Sequence, residues 1–320
     1  MEILISFIIP FIVLLTVVVF IHEYGHYYYA KKYGVGVTDF SIGFGKEIFG
    51  FNDKSGTRWK FCLIPLGGYV KFFGDRNVFS QAEQEELLKK YNKEDQKKLF
   101  VVKPLYQRSL IVAAGPFANF LLAILIFAFI YMFAGKDFTP AQIQEVQSES
   151  PAYEAGIKPG DVIKSINDKE VKSIMEVSAF INSSSSNVIN IGILRNDREL
   201  TFSVEPKVIQ SEDALGNRAN KKIIGIKIAP LNEEINRQRL GPTIALFYAV
   251  KETWFVIDAS WNFIISMFKG TGDTSQLGGP IKIAKITGQV AKLGFIAFLS
   301  IMAYISTVSY THLRAHETIA

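Results

Sequence analysis

The chain has 320 residues, room for one large or two moderate domains. Hydrophobic residues make up 49% of it and the mean hydropathy is +0.20, which excludes an ordinary soluble protein. The net charge of +5 comes with no basic, aromatic-interleaved stretch, so nucleic acid is not an expected partner, and the single cysteine, Cys62, excludes an internal disulfide or a cysteine zinc cluster.

The first element is an uncharged run of 19 residues, Ile3 to Ile21. About 20 helical residues cross a hydrocarbon core. A cleaved signal peptide is the weaker reading, because Glu2 is the only early charge and no small-x-small cleavage site follows. The run continues into His22-Glu23-Tyr24-Gly25-His26, which fits H-E-x-x-H. On a helix, residues four apart lie about 40° apart around the axis and one turn up. His22 and His26 can therefore face one zinc ion, while Glu23 can take a proton from a water on the metal. Gly25 leaves space beside it. Two histidines and a glutamate at membrane depth are costly and point to function. The bland alternative is a span that stops at Ile21 and has a polar end. Two protein ligands are one short of a catalytic zinc site.

Residues 34–108 form the next segment. Val35 to Gly50 is rich in glycine and aromatics, and Arg58 to Ile64 and Gly68 to Phe73 alternate loosely around Gly67-Gly68, which predicts a small β element. Ser80 to Leu99 is polar and reads as a helical surface segment. Ser109 to Gly135 is an uncharged run of 27 residues, the second span. Residues 31–109 carry 15 Lys/Arg against 9 Asp/Glu, and residues 135–242 carry 14 against 15. The positive-inside rule puts the first loop, with the histidine end of the first span, on the cytoplasmic side and the second loop outside.

The second loop, residues 136–230, reads as a soluble domain. A strand over Ile143 to Val146 is followed by a short helix ending at Gly156, a turn at Lys158-Pro159-Gly160-Asp161 and a strand over Val162 to Ile166. Asn167-Asp168 is a turn, Ile174 to Ile181 an amphipathic helix, and Asn187 to Leu194 with Leu200 to Val204 a hairpin across Asn196-Asp197. A third membrane segment covers 240–268 and carries Lys251, Glu252 and Asp258, and a last uncharged run covers Leu293 to Thr311.

The chain resembles the site-2 protease family of intramembrane metalloproteases, within it the bacterial regulator-of-sigma-E protease group. Five ordered motifs carry the likeness between residues 1 and 307. They are His22-Glu23-Tyr24-Gly25-His26, Ile64-Pro65-Leu66-Gly67-Gly68-Tyr69-Val70-Lys71, Ala114-Gly115-Pro116-Phe117-Ala118-Asn119-Phe120, the PDZ-like stretch from Ser150-Pro151-Ala152 to Gly160-Asp161, and Gly278-Gly279-Pro280-Ile281. The resemblance implies a polytopic α-helical membrane protein with an inserted α+β PDZ-like domain and a small membrane-associated β element. Its implied parts are a first helix over 1–33, a cytoplasmic loop over 34–108, a second helix over 109–135 and a PDZ-like domain over 136–230. A third membrane segment over 240–268 and a last helix beginning within 278–307 follow. The implied activity is a Zn2+ endopeptidase in the cell membrane, with Glu23 as catalytic base and His22 and His26 as metal ligands. Its implied partners are the lipid bilayer and single-pass transmembrane proteins, of the anti-sigma-factor or signal-peptide-remnant type. Gly67, Gly68 and Tyr69 are implied in pairing with an unwound substrate strand, and Asn119 in bonding substrate or a neighbouring helix. The bland readings are a hairpin bend at Gly67-Gly68 and a kink in the span at Gly115-Pro116. The PDZ-like stretch lacks a clear Gly-Leu-Gly-Phe carboxylate loop.

One departure stands out. The family takes its third zinc ligand from an aspartate in a Leu-Asp-Gly motif beyond Thr307, and residues 308–320 carry no aspartate. That stretch resembles a translated adapter joined to a truncated frame, with His312 and His316 as decoys at metal-binding spacing. The expected consequence is a chain that lacks a ligand and activity. The alternative function is a proteolytically inactive membrane scaffold whose PDZ-like domain binds extracytoplasmic peptides.

Overall fold

The computed structural model describes residues 4–75, 88–184, 186–212, 218–231, 234–268 and 279–317. Gly278 and residues 80–87 of the polar segment lie outside them. The chain divides into two units, Met1–Ile126 with Ile283–Ala320, and Phe127–Lys282.

In the first unit, helix α1 spans Ile9–Lys32, after one irregular turn over Leu4–Ile8. It has Pro10 in its first turn, where a missing N–H costs nothing, and Lys31 and Lys32 in its last turn, where they favour the negative end of the helix dipole. Strands β1, Val37–Asn52, and β2, Arg58–Phe72, follow. Each is bent, and their antiparallel ladders fold over one another. The first half of β1 lies between the two halves of β2, pairing Ser41 with Tyr69 on one side and with Lys60 on the other, while its second half pairs Asn52 with Arg58. The bends fall at glycines. Gly43 and Gly67 have φ of +86° and +119°, which a side chain would strain. The expected break at Gly67-Gly68 is thus a bend within one strand. Asp53 closes the β1–β2 turn and ties the sheet to α1. Burial raises its carboxyl, but hydrogen bonds from Ser55, Tyr27, Thr57 and Trp59 outweigh that and hold it well below the usual carboxylate range. Ile48, Phe49 and Leu63 on this sheet are exposed.

A short helix, α2, covers Lys93–Gln96, and α3 runs Leu105–Phe133 through Pro116 without ending. Phe117, Leu121, Leu125, Phe129 and Phe133 recur every four residues along α3 and are exposed, while Ala114, Asn119, Ala123 and Ile130 are buried. A soluble core helix would turn those large apolar side chains inward. Such an exposed stripe suits lipid. Among the described residues two helices are long and apolar enough to cross a membrane, Ile5–Lys32 and Leu105–Phe133, and Phe295–Val308 is a shorter apolar helix. The unit ends with α7, Pro280–Lys292, and α8, Phe295–Glu317. Helix α8 continues past residue 308, because no glycine or proline stops it there.

The second unit begins in α3 and contains β3, Lys136–Asp137; β4, Ala141–Val146; α4, Pro151–Glu154; β5, Val162–Ile166; and β6, Lys169–Glu170. Next come α5, Ile174–Ser183; β7, Ile189–Arg195; and β8, Arg198–Val204. Then follow β9, Lys207–Glu212; β10, Arg218–Ile223; β11, Ile226–Pro230; β12, Arg237–Gln238; and helix α6, Pro242–Phe268. The main sheet has the order β11-β4-β5-β7-β8, with β6 on β5. Alternation along β7 buries Ile189, Ile191 and Ile193 against Ile143, Ile163, Val177 and Ile181. Ser150 caps α4 by accepting from Tyr153 N, and Gly156 at φ +87° ends that turn. Asn167-Asp168 and Asn196-Asp197 have positive φ at both residues, the geometry of tight hairpin turns. The β9–β10 hairpin is absent from the sequence reading, because its strands lack an apolar alternation.

Asp161 is buried and receives Arg195 through both carboxylate oxygens, at 2.6 and 2.7 Å. Near the start of the unit, Lys136 is buried over the rings of Tyr131 and Tyr248, and its ammonium donates to Glu252 at 3.3 Å. Glu252 also accepts from the Tyr131 hydroxyl at 3.0 Å. One of the three charges that keep α6 from reading as a plain span therefore belongs to an internal ion pair.

Candidate metal centre

The centre is built where α1 meets α3. Helical spacing puts His22 and His26 on one face of α1, and their rings lie 4.9 Å apart, nearly perpendicular. Their Nε2 atoms are 3.2 Å apart. Two nitrogens about 2.0–2.1 Å from a tetrahedral zinc stand about 3.3 Å from each other, so the pair has the spacing of two ligands on one ion.

Helix α3 supplies the surroundings. The carbonyl of Ile111 lies 2.8 Å from His26 Nδ1. A carbonyl can only accept, so that nitrogen carries a proton, and in the neutral ring Nε2 carries the lone pair. A partner of this kind on the outer nitrogen orients a metal-binding imidazole. Asn119 stands at the other ring, with Nδ2 3.3 Å from His22 Nδ1. Between them is Gly115. A Cβ on it would meet Nε2 of both histidines, that of His22 at 2.8 Å. The absence of a side chain at residue 115 leaves a cradle beside the two nitrogens. Gly25 makes the approach possible from the other helix, since a Cβ there would run into the Ala114 carbonyl. Ser306 of α8 donates to the Asn119 carbonyl at 2.9 Å, holding this turn of α3 from behind.

Glu23 borders the β element. A Cβ on Gly68 would come within 3.0 Å of Glu23 Cγ, 2.8 Å of Val19 Cγ1 and 2.7 Å of the Ser41 carbonyl. The start of the last β2 segment therefore lies directly against the glutamate. Gly67 faces the Phe44 ring, and Tyr69 stacks on it at 6.1 Å between centroids. The structure thus gathers His22, Glu23, His26, Gly68 and Asn119, with Gly67 and Tyr69 one step further out. Among the described residues no group of three or more His, Cys, Asp or Glu could hold a metal ion. The histidine pair, the Nε2 lone pair of His26 and the glycine cradle fit zinc; the third ligand remains unassigned.

Residues 10–309 match peptidase family M50. The chain belongs to that family. A Mesorhizobium japonicum protein named as a zinc metalloprotease, mll0638, is 40% identical over 301 residues, covering 93% of this chain and 81% of the relative. A Rickettsia conorii protein of the same description, RC0203, is 39% identical over 302 residues, covering 93% and 81%. The metalloprotease MmpA of Caulobacter vibrioides is 33% identical over 283 residues, covering 86% and 70%. The PDZ domain of an SdrC-like protein from Listeria monocytogenes covers 28% of this chain and 88% of its own at 21% identity and a TM-score of 0.23. The site-2 protease family expected from the five motifs is therefore the family found, and with it a membrane-associated, zinc-dependent peptidase. Sequence reasoning named the α1 residues of the centre and missed Ile111, Gly115 and Ser306. Of these, Gly115 stood in the Ala114–Phe120 motif but was read there as a candidate kink beside Pro116.

Proposed function

We propose that this M50 peptidase cuts single-pass transmembrane proteins within the bilayer, with His22 and His26 as metal ligands and Glu23 as general base. The observation that carries the assignment is the convergence of the two Nε2 atoms, 3.2 Å apart, beside Gly115. Zinc bound there supplies Lewis-acid polarisation of the scissile carbonyl and acidity to an attacking water. Glu23 accepts the proton of that water and passes it to the leaving amine. The Gly68–Phe72 segment pairs with β1 on one side, and no strand lies on its other side among the described residues. A substrate helix that unwinds can add a strand there, which brings its peptide bonds alongside Glu23. Gly67 provides the bend and Tyr69 a wall of this groove. The scaffold alternative gives no reason for two imidazoles to converge beside a missing side chain. In detergent, the protein carrying the family's Leu-Asp-Gly segment after Thr307 is expected to cut a single-pass substrate within its apolar segment and to stop when a zinc chelator is added. Cuts confined to the substrate's soluble parts, or cleavage indifferent to chelator, would remove this reading.

The architecture we propose is polytopic, with α1 and α3 as full spans and α6 and α8 as further membrane segments. Residues 136–230 form a PDZ-like domain outside the cell, and the histidine end of α1 lies on the cytoplasmic side. The basic loop charge supports this orientation, as do Lys31 and Lys32 at the end of α1. An impermeant thiol reagent applied to intact cells should label a cysteine at Glu199 and spare one at Lys97. Labelling of Lys97 alone would invert the topology.

A further inference from the structure

Asn119 is buried, 2% exposed, and its Oδ1 has no hydrogen-bond partner. Its other end, Nδ2, faces His22 Nδ1. The four groups Asn119, His22, His26 and the Ile111 carbonyl form a row in which every proton can be followed. An amide nitrogen only donates, so with Nδ2 inward His22 Nδ1 must accept. The proton of the neutral His22 ring is then on Nε2, and it points to the lone pair of His26 Nε2 across 3.2 Å. His26 in turn donates through Nδ1 to Ile111 at 2.8 Å. The row is a closed chain of donors and acceptors, and it occupies both nitrogens that a metal needs.

Rotating the amide by half a turn reverses the row at one end. Oδ1 now faces His22 and only accepts, so the ring proton moves to Nδ1 and the Nε2 lone pair is freed. Both Nε2 lone pairs then face the cradle of Gly115. That arrangement is repulsive alone and suits a cation. The amide oxygen and nitrogen are nearly the same size, so the rotation changes no packing. With Oδ1 unpaired at the outer end, the rotation breaks no hydrogen bond there. The state of the histidine pair decides.

We propose that Asn119 is a tautomer switch for the metal site, donating to His22 when the two histidines bond each other and accepting from it when they hold a metal. It is a positioning residue, acting through His22 rather than on substrate. The inference rests on His22 and His26 being the ligands.

The test is zinc titration of chelator-treated protein in detergent, with the histidine tautomers read by nitrogen-15 NMR. His22 is expected to carry its proton on Nε2 before zinc and on Nδ1 after it, while His26 keeps Nδ1–H throughout. Asn119→Leu removes both orientations and should weaken zinc binding about 10–100-fold. Asn119→Asp, which only accepts, should hold His22 as Nδ1–H in both conditions and restore affinity to near the parental value. Any other metal ligand is common to all these variants. Zinc lost in His26→Ala but bound at parental affinity in Asn119→Leu would overturn the switch alone, as would a His22 tautomer that does not change. Zinc retained in His26→Ala would overturn the ligand assignment and the switch with it. A folded Asn119→Leu protein is recognised by an unchanged His26 Nδ1–H signal. If that signal is lost, the Asn119→Asp comparison decides, and failure of that variant to bind zinc overturns the proposal.

Discussion

In the protein that carries the family's Leu-Asp-Gly segment after Thr307, replacing Glu23 by glutamine lowers peptide-bond cleavage by about 10²–10⁴-fold and leaves zinc binding in place, because loss of a general base has that typical cost. The amide keeps the size and hydrogen-bonding shape of the carboxylate but cannot take a proton at neutral pH. Glu23 occupies the α1 position next to His22, and its Cγ lies against the start of the free β2 edge at Gly68. The proposed base and the strand edge proposed to present the substrate therefore share one contact. The measurement is cleavage of a single-pass substrate in detergent beside metal content. Near-parental cleavage by the glutamine variant would remove Glu23 from the chemistry. Joint loss of zinc and cleavage would make it a ligand or a structural residue instead.

Replacing Gly115 by alanine has the opposite signature: zinc binding is lost first, and cleavage only as a consequence. The added Cβ would stand against both Nε2 atoms, 2.8 Å from that of His22. Zinc needs a nitrogen at about 2.0–2.1 Å on each side and open space between for a further ligand and water. A methyl group there both pushes the rings apart and fills the cradle. We expect at least about a 100-fold loss of zinc affinity, on the scale of a disrupted ligand shell. Alanine favours the helix more than glycine does, by about 1 kcal/mol, so α3 itself should not suffer. Metal titration, with thermal unfolding as a check on the helix, decides the matter. Parental zinc affinity in Gly115→Ala would show that the metal does not sit beside this residue. Read together, the two variants separate the residue that moves a proton from the residue that makes room for the ion.

Much of the candidate centre was legible in the chain because it is local. His22, Glu23 and His26 lie within five consecutive residues, and helical geometry alone brings the two rings to one face. The tight turns at Asn167-Asp168 and Asn196-Asp197 were legible for the same reason, since asparagine and aspartate tolerate the positive φ these turns require. The alternation that makes β7 bury Ile189, Ile191 and Ile193 is likewise written residue by residue.

What the sequence determined by itself, then, is a zinc-type motif continuing an apolar run, a second apolar run, and a stretch of strands and tight turns over residues 136–230. Tertiary structure alone decided what surrounds the histidines. The Ile111 carbonyl and the Asn119 amide reach His26 and His22 from 85 and 97 residues away along the chain. A backbone carbonyl belongs to every residue and a glycine acts here by lacking an atom, so neither leaves a side-chain signature to read. The same holds for the folded-over β1–β2 ladders, where Ser41 pairs with both Lys60 and Tyr69. It holds too for the burial of Lys136 against Glu252, 116 residues apart. A charged residue in a sequence reads as exposed, and only a partner brought by the fold can offset the cost of taking it out of water.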